Sequence, residues 1–468
     1  FTYLSFAINF HFSQLDPLGY HLTNIAIHLL FGTACFFFFQ TLWRTPAGVQ
    51  TPLSENEKAY IAFAASTLIC VHPMSVFAVS YLVQRLASLT ALLFISSLVF
   101  YLNARLSPDR SIKLVLFTLF IFLMMGALFT KQNAFTIFPS LLLIEVTCFP
   151  LSRKKINAFL LICAGLLVAF GIIAASDTID LNEIRKMTIE TRSIGRLEYL
   201  LAQFSVICFY LYQLFIPNQL AIDYANPANP NVILPGIILL IIIAGALLCL
   251  RREKFRLAGF GILFYFITIS IESSVIPIRD LLFIHRTYLP NAGMIFSLLI
   301  LGYMGAKQIK IPLFIVPIIT ILVVIVLSVS TWKINTIFKS PIAVWRQVIE
   351  HSPRHARGYS HVGSIYIKKG FYNSAQEYIA KALELQPAMS HSLNNLGIVY
   401  YRKKDYKKAI EIFNKIIKNN PRDQHAHMSL GNAYALSKQY DLALQSYKKG
   451  YQIDQNNFEN LVNIGQLI

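Results

Sequence analysis

The chain has 468 residues, 55% of them hydrophobic and only 14% charged, with 36 phenylalanines. That balance excludes an ordinary water-soluble protein and belongs to one with many membrane spans. The formal charge of +18 would suggest nucleic acid in a soluble protein. Here the basic residues fall mostly in short loops between apolar runs and in the C-terminal part, so nucleic-acid binding is set aside.

The sequence begins at Phe1 and stops at Ile468 inside a repeat, and is taken as a piece of a longer protein. Residues 1–19 are aromatic and weakly polar, as at a membrane interface. Apolar runs that span a bilayer, or nearly so, follow at 20–42, 59–71, 88–104, 113–129, 134–150, 156–175, 199–216, 231–250, 257–275, 288–306 and 310–331. Six cysteines lie within or at the ends of these runs with no metal-ligand spacing, so they read as small hydrophobes.

Basic clusters set the orientation. Arg105, Arg110 and Lys113 mark one cytoplasmic loop, Arg153 to Lys155 a second, Arg251 to Arg256 a third, and Lys307 with Lys310 a fourth. Three apolar runs separate the second loop from the third, so one run must not cross, and 199–216 is the one chosen. Residues 1–19, 72–87, 130–133, 176–230, 276–290 and everything after Trp332 are then expected on the outer face.

The C-terminal part carries a repeat. Gly363, Gly397, Gly431 and Gly465 recur every 34 residues, with Tyr366, Tyr400 and Tyr434 three residues later and Ala375, Ala409 and Ala443 twelve later. This is the tetratricopeptide pattern, in which small residues let paired helices touch. The expected division is a multi-span membrane domain over 1–335 and a repeat domain over 336–468. Its repeats fall at about 356–389, 390–423, 424–457 and, in part, 458–468. The fold class is all-α: a polytopic helix bundle followed by an α-solenoid. Such repeats bind peptides or partner proteins, and the run Arg402 to Lys408 reads as a solvated face.

Several polar groups interrupt the apolar pattern. Residues 271–290 hold Glu272, Arg279, Asp280, His285, Arg286 and Tyr288. A charge at the bilayer centre costs roughly 2.5 kcal/mol or more, so these groups sit at the membrane surface or line a polar cavity. A second cluster has His72-Pro73 ending one run and Gln84-Arg85 just before the next. His72 reads as a capping group, and Arg85 offers a planar fork matched to phosphate. Lys131 tips a short polar turn, where it snorkels or touches a lipid phosphate. Asp223 stands in a loop beside Tyr224.

Taken in order, FTYLSFAINF, LDPLGYHLTNIAIHLL, VHPMSVFAVSYLVQRLASLTALLF, LFTKQNAFTIFPSLLLIEV, ESSVIPIRDLLFIHRTYLPNAG and the repeats resemble the GT-C-type membrane glycosyltransferases with C-terminal tetratricopeptide repeats (TMTC-like O-mannosyltransferases and bacterial relatives). The resemblance implies an inverting transfer of a sugar from a polyprenyl-phosphate-linked donor, entering from the bilayer, to a protein or glycan acceptor. Arg85, His285, Arg286 and Lys131 are then the candidate donor-phosphate ligands. His72, Gln84, Asp223, Glu272, Arg279, Asp280 and Tyr288 form the candidate rim. The acidic base of that class is expected in a loop preceding Phe1. Asp16 is a weak substitute, since its setting reads as a helix cap.

Phe77, Gln132 and Ile284 stand where such relatives often carry acids. That removes support for a metal, although a divalent cation stays open, and no other cofactor is called for. Localisation in a bacterial inner membrane with periplasmic repeats is expected. The alternatives are a non-catalytic scaffold that assembles an envelope or secretion complex through its repeats, and a transporter, which the scarcity of mid-span charges disfavours.

Overall fold

The computed structural model describes residues 2–149, 195–225, 232–273, 280–455 and 458–467. The chain forms two compact units, Phe1–Leu220 with Asn226–Thr336, and Ala221–Ala225 with Ile337–Ile468. Every regular element among the described residues is a helix.

In the first unit, six described helices are long and apolar enough to cross a membrane, or seven if a bent pair counts as one. Such segments favour helices because hydrocarbon cannot satisfy free backbone N–H and C=O groups. The bent pair is Glu55–Val71 with Pro73–Val79, turned by 52°. Pro73 holds His72 in extended backbone (φ −69°, ψ 129°), which ends the first helix. Helix starts follow local chemistry. Asp16 caps Pro17–Trp43, Asp109 caps Arg110–Leu128, and Ser54 with Glu57 forms a capping box at Glu55. The run 199–216 forms the helix Arg196–Phe215, whose 197–215 stretch is also long and apolar enough to cross. The run 156–175 and the basic cluster at 153–155 lie outside the described residues.

The interior of this unit is aromatic. Phe31, Phe38, Phe39, Phe94, Phe260, Phe264 and Phe296 are all buried, and Phe39 stacks on Phe296 at 4.3 Å. The helices Arg256–Ile269 and Pro290–Gln308 meet through glycine. A Cβ on Gly261 would stand 2.5 Å from the Gly293 carbonyl oxygen, so only small residues permit this crossing. Ser297 Oγ donates across it to the Ala258 carbonyl at 2.8 Å. Elsewhere Arg105 grips Glu145 with two bonds of 2.7 and 2.9 Å.

The second unit stacks helix pairs: Ala356–Lys368 with Tyr372–Leu385, Ser390–Arg402 with Tyr406–Asn419, and Gln424–Leu436 with Tyr440–Ile453. Pro341–His351 precedes them and Phe458–Leu467 follows. Amphipathic helices of this length need a neighbour to bury their apolar stripe, and stacking supplies it. A Cβ on Gly397 would lie 2.5 Å from the Phe413 ring, which is itself 1% exposed. Gly397→Ala is therefore expected to destabilise this unit by about 1–3 kcal/mol through overpacking, read as a lower unfolding temperature of the full chain. Gly465→Ala, in a helix and with nothing within 4 Å of its Cβ, should not lower that temperature.

Candidate functional site

Helix Arg196–Phe215 carries Tyr199, Gln203 and Tyr210 in a mostly apolar stretch. Spacings of four and seven residues put them on one face. That face holds the irregular backbone preceding Pro290. Tyr199 Oη donates to the Glu272 carbonyl at 3.0 Å, and Gln203 Nε2 donates to the Leu281 carbonyl at 3.2 Å. Tyr210 Oη donates to the Phe283 carbonyl at 3.0 Å and accepts from its N–H at 2.9 Å. Extended backbone that would otherwise be unsatisfied is thereby clamped.

Arg286 closes the same loop from within. It is 5% exposed and donates from Nη1 to the Leu281 carbonyl at 3.0 Å and from Nη2 to the Asp280 carbonyl at 2.8 Å. Burial works against its charge, but the nearby Tyr210 and Glu272 outweigh burial and hold its pKa above the ordinary value. Lys131 reaches in from the turn before Ile137–Cys148 and pairs with Glu272 at 2.5 Å. The two side chains are 16% and 9% exposed, so this pair is screened little.

His285 sits between these cations. Its ring stacks on Phe283 at 5.1 Å and forms no hydrogen bond with any described residue. Burial, and then the charges of Lys131 and Arg286, push its pKa well below the usual imidazole range, so it is neutral near pH 7. The residue as a whole is half-buried. The cluster thus sets the Lys131 ammonium, held by Glu272, and a neutral imidazole with no hydrogen-bond partner among the described residues beside the Arg286 charge, whose Nη1 and Nη2 are already given to loop carbonyls. This suits recognition of an anionic oxygen group.

Four of the residues singled out from sequence gather here: Lys131, Glu272, His285 and Arg286, with Asp280 contributing its carbonyl. The others go elsewhere. Arg85 is fully buried, and its guanidinium is taken up by neutral acceptors rather than left open to a phosphate. Nε donates to Asn24 at 2.6 Å, Nη1 to Asn9 at 2.5 Å and to the Ser5 carbonyl at 3.2 Å, and Nη2 to the Tyr20 carbonyl at 3.1 Å. It also lies 4.2 Å over the Phe6 ring. His72 is buried, faces the Leu214 carbonyl at 3.0 Å and accepts from the Met74 N–H, which makes it structural. Tyr288 Oη meets His28 at 2.6 Å, and Asp16 caps its helix in an exposed position. Gln84 is half-buried at the start of Arg85–Leu106, and Arg279 lies outside the described residues.

Phe77 and Ile284 are each 2% exposed, and their turns, Val76–Val79 and Ile284–Thr287, pack on one another. Two positions where the sequence resemblance places acids are therefore buried apolar residues on neighbouring turns. Gln132 is exposed. Among the described residues, no three His, Cys, Asp or Glu side chains lie close enough to hold a metal ion.

Asp223 belongs to the second unit, where its Oδ2 lies 3.0 Å from Arg357 and 2.9 Å from His355. Burial raises its pKa, but the His355 and Arg357 contacts outweigh it and hold it below the usual carboxylate value. A depressed folded-state pKa stabilises above the unfolded value and ceases to do so as pH falls through the folded one. Asp223→Asn is expected to cost about 1–2 kcal/mol near pH 7, a penalty that begins to shrink below about pH 4 and is gone only once pH has fallen through the folded-state pKa. Unfolding of both proteins across that range measures it.

Residues 354–422 and 409–458 match two models of the tetratricopeptide repeat. Over 405 residues the chain is 23% identical to the protein O-mannosyl-transferase F38B6.6 of Caenorhabditis elegans, covering 82% of this chain and 53% of the relative. The chain resembles the protein O-mannosyl-transferases, and its C-terminal unit is built of tetratricopeptide repeats. The human protein O-mannosyl-transferase TMTC3 is 29% identical over 140 residues, which cover 29% of this chain and 13% of that protein. This chain thus spans about half the length of the worm protein-O-mannosyl-transferase relative and far less of the human one. Among solved structures, the first tetratricopeptide domain of human RPAP3 is 22% identical and covers 25% of this chain and 91% of its own, with a TM-score of 0.24.

Tyr199, Gln203, Tyr210, Asn9 and Asn24 escaped the reading of the sequence. The signal for the first three is their spacing within 199–216. The asparagines sit singly among apolar residues and only the fold shows what they hold.

Proposed function

We propose that this chain is part of a membrane glycosyltransferase that moves a sugar, mannose by analogy with its relatives, from a polyprenyl-phosphate carrier to a protein acceptor. The observation that carries the reading is the cluster of Lys131, Arg286 and His285 around one clamped turn. In the transfer, the bond between the sugar anomeric carbon and the carrier phosphate oxygen breaks. A bond from that carbon to the acceptor hydroxyl oxygen forms on the opposite face, giving inversion. The hydroxyl proton leaves with a base, and the departing phosphate gains negative charge.

Stabilising that charge is what this cluster suits. Lys131 and Arg286 supply fixed positive charge, and His285 supplies a neutral N–H donor aimed at the leaving oxygen. The Glu272 partner holds Lys131 in place before the donor arrives and exchanges it for phosphate afterwards. The clamp from Tyr199, Gln203 and Tyr210 keeps the turn from reorganising during the reaction, so the donors remain pre-aligned. The repeats are assigned the recruitment of the acceptor or of a partner protein.

The test is transfer of labelled mannose from polyprenyl phosphate to membrane proteins, using membranes that contain the full-length protein. Label above that of membranes lacking the protein is expected. Its absence would favour the scaffold reading.

A further inference from the structure

Away from this cluster, the first unit contains an apolar groove of about 580 Å³. Its floor is Pro290–Gln308, and its walls are Glu55–Val71 and Ile315–Ile337. Two hydrogen bonds tie the walls: Tyr60 to Thr320 at 2.6 Å, and Thr331 Oγ1 to the Val71 carbonyl at 2.6 Å. These rungs are eleven residues apart on both helices, so the walls run parallel and stay open over about 16 Å. Near the Tyr60 rung, on the side of the Lys307–Glu57 pair, Gly302 and Gly305 line the groove, and a Cβ on either would have no atom within 4 Å. Glycine here leaves room that no neighbouring side chain fills.

One end of the groove is charged. Ile309 and Ile311 line it, and exposed Lys310 stands between them in a left-handed turn (φ +58°). Lys310 forms no ion pair with a described residue, while Lys307 beside it pairs with Glu57 at 3.2 Å. Two lysines against one glutamate leave a positive charge at that mouth. Lys307 is 17 residues along the floor helix from Pro290, about 26 Å from the end where Arg286 and His285 lie. A phosphate at Lys310 therefore belongs to a different molecule from one bound at His285.

We infer that this groove holds an acyl chain of an anionic phospholipid, with the headgroup phosphate at Lys310. Volume, apolar lining, unfilled glycine positions and the excess charge at one mouth all match that occupant. The test uses the full chain purified in mild detergent and exchanged with phosphatidylglycerol or phosphatidylcholine, with bound lipid extracted and quantified. Phosphatidylglycerol is expected to be retained about fivefold better. Gly302→Leu with Gly305→Leu should abolish retention of both lipids, while the unfolding temperature without added lipid stays at the wild-type value. Lys310→Glu should keep retention and lose the preference. Equal retention of the two lipids by the wild-type chain would overturn the inference. So would unchanged retention in the leucine variant, or polyprenyl phosphate displacing phospholipid from the groove.

Discussion

Replacing Arg85 with methionine is expected to destabilise the membrane unit by about 3–5 kcal/mol. Two opposing effects set that figure. Burying a cation without a carboxylate costs several kcal/mol, which methionine removes. Against this, the buried side-chain oxygens of Asn24 and Asn9 lose their donor, at about 1–3 kcal/mol each, and the helical carbonyls of Ser5 and Tyr20 each lose a second partner. Two stranded amide oxygens, with two weakened carbonyls, outweigh one relieved charge. Arg85→Lys keeps the charge but not the fork, because a single ammonium cannot reach acceptors on both Thr2–Ser13 and Pro17–Trp43. Lysine should therefore recover only part of the loss. Coupling is also expected: Asn24→Ala should cost less in the methionine background than in the wild type. Thermal unfolding of the full chain in detergent reads all three. Wild-type stability with abolished sugar transfer in Arg85→Met would instead return Arg85 to the role of phosphate ligand.

That result bears on how far the sequence could be read. Glycines every 34 residues announce the repeats because helix pairing needs a small residue where Phe413 or Tyr447 presses in. Apolar runs announce the bundle because hydrocarbon tolerates little else. The ionisable residues of the cluster were each visible as exceptions to that pattern. Their partners were not visible. Lys131 meets Glu272 across 141 positions, and Arg85 meets Asn9 across 76. Such pairings depend on which helices become neighbours, information that periodicity does not carry. Arg85 read as a phosphate ligand because its planar fork matches phosphate, but the same fork takes neutral acceptors equally well. Asparagines and carbonyls supplied them.

The second large effect concerns His285. His285→Ala is expected to lower the rate of sugar transfer about 100-fold, the cost of removing one pre-aligned donor to a leaving oxygen. Stability should barely change, because the ring forms no hydrogen bond with a described residue and stacks on Phe283. His285→Asn, which keeps an N–H donor of similar reach, should recover part of the rate. Arg286 is a poorer probe. Its side chain holds the carbonyls of Asp280 and Leu281, so Arg286→Ala loosens the loop and removes a charge at once. Loss of activity there would not separate the two causes, whereas unchanged folding with slow transfer in His285→Ala would.

The central claim is that the Lys131, His285 and Arg286 cluster binds the carrier phosphate of the sugar donor. Its most direct test is crosslinking of a photoreactive polyprenyl phosphate to full-length protein in membranes, with the labelled peptides identified. Labelling at residues 131–136 and 281–288, competed by unlabelled polyprenyl phosphate and weakened in His285→Ala, is the predicted result. Competed labelling that maps to other segments and is indifferent to His285 would contradict it.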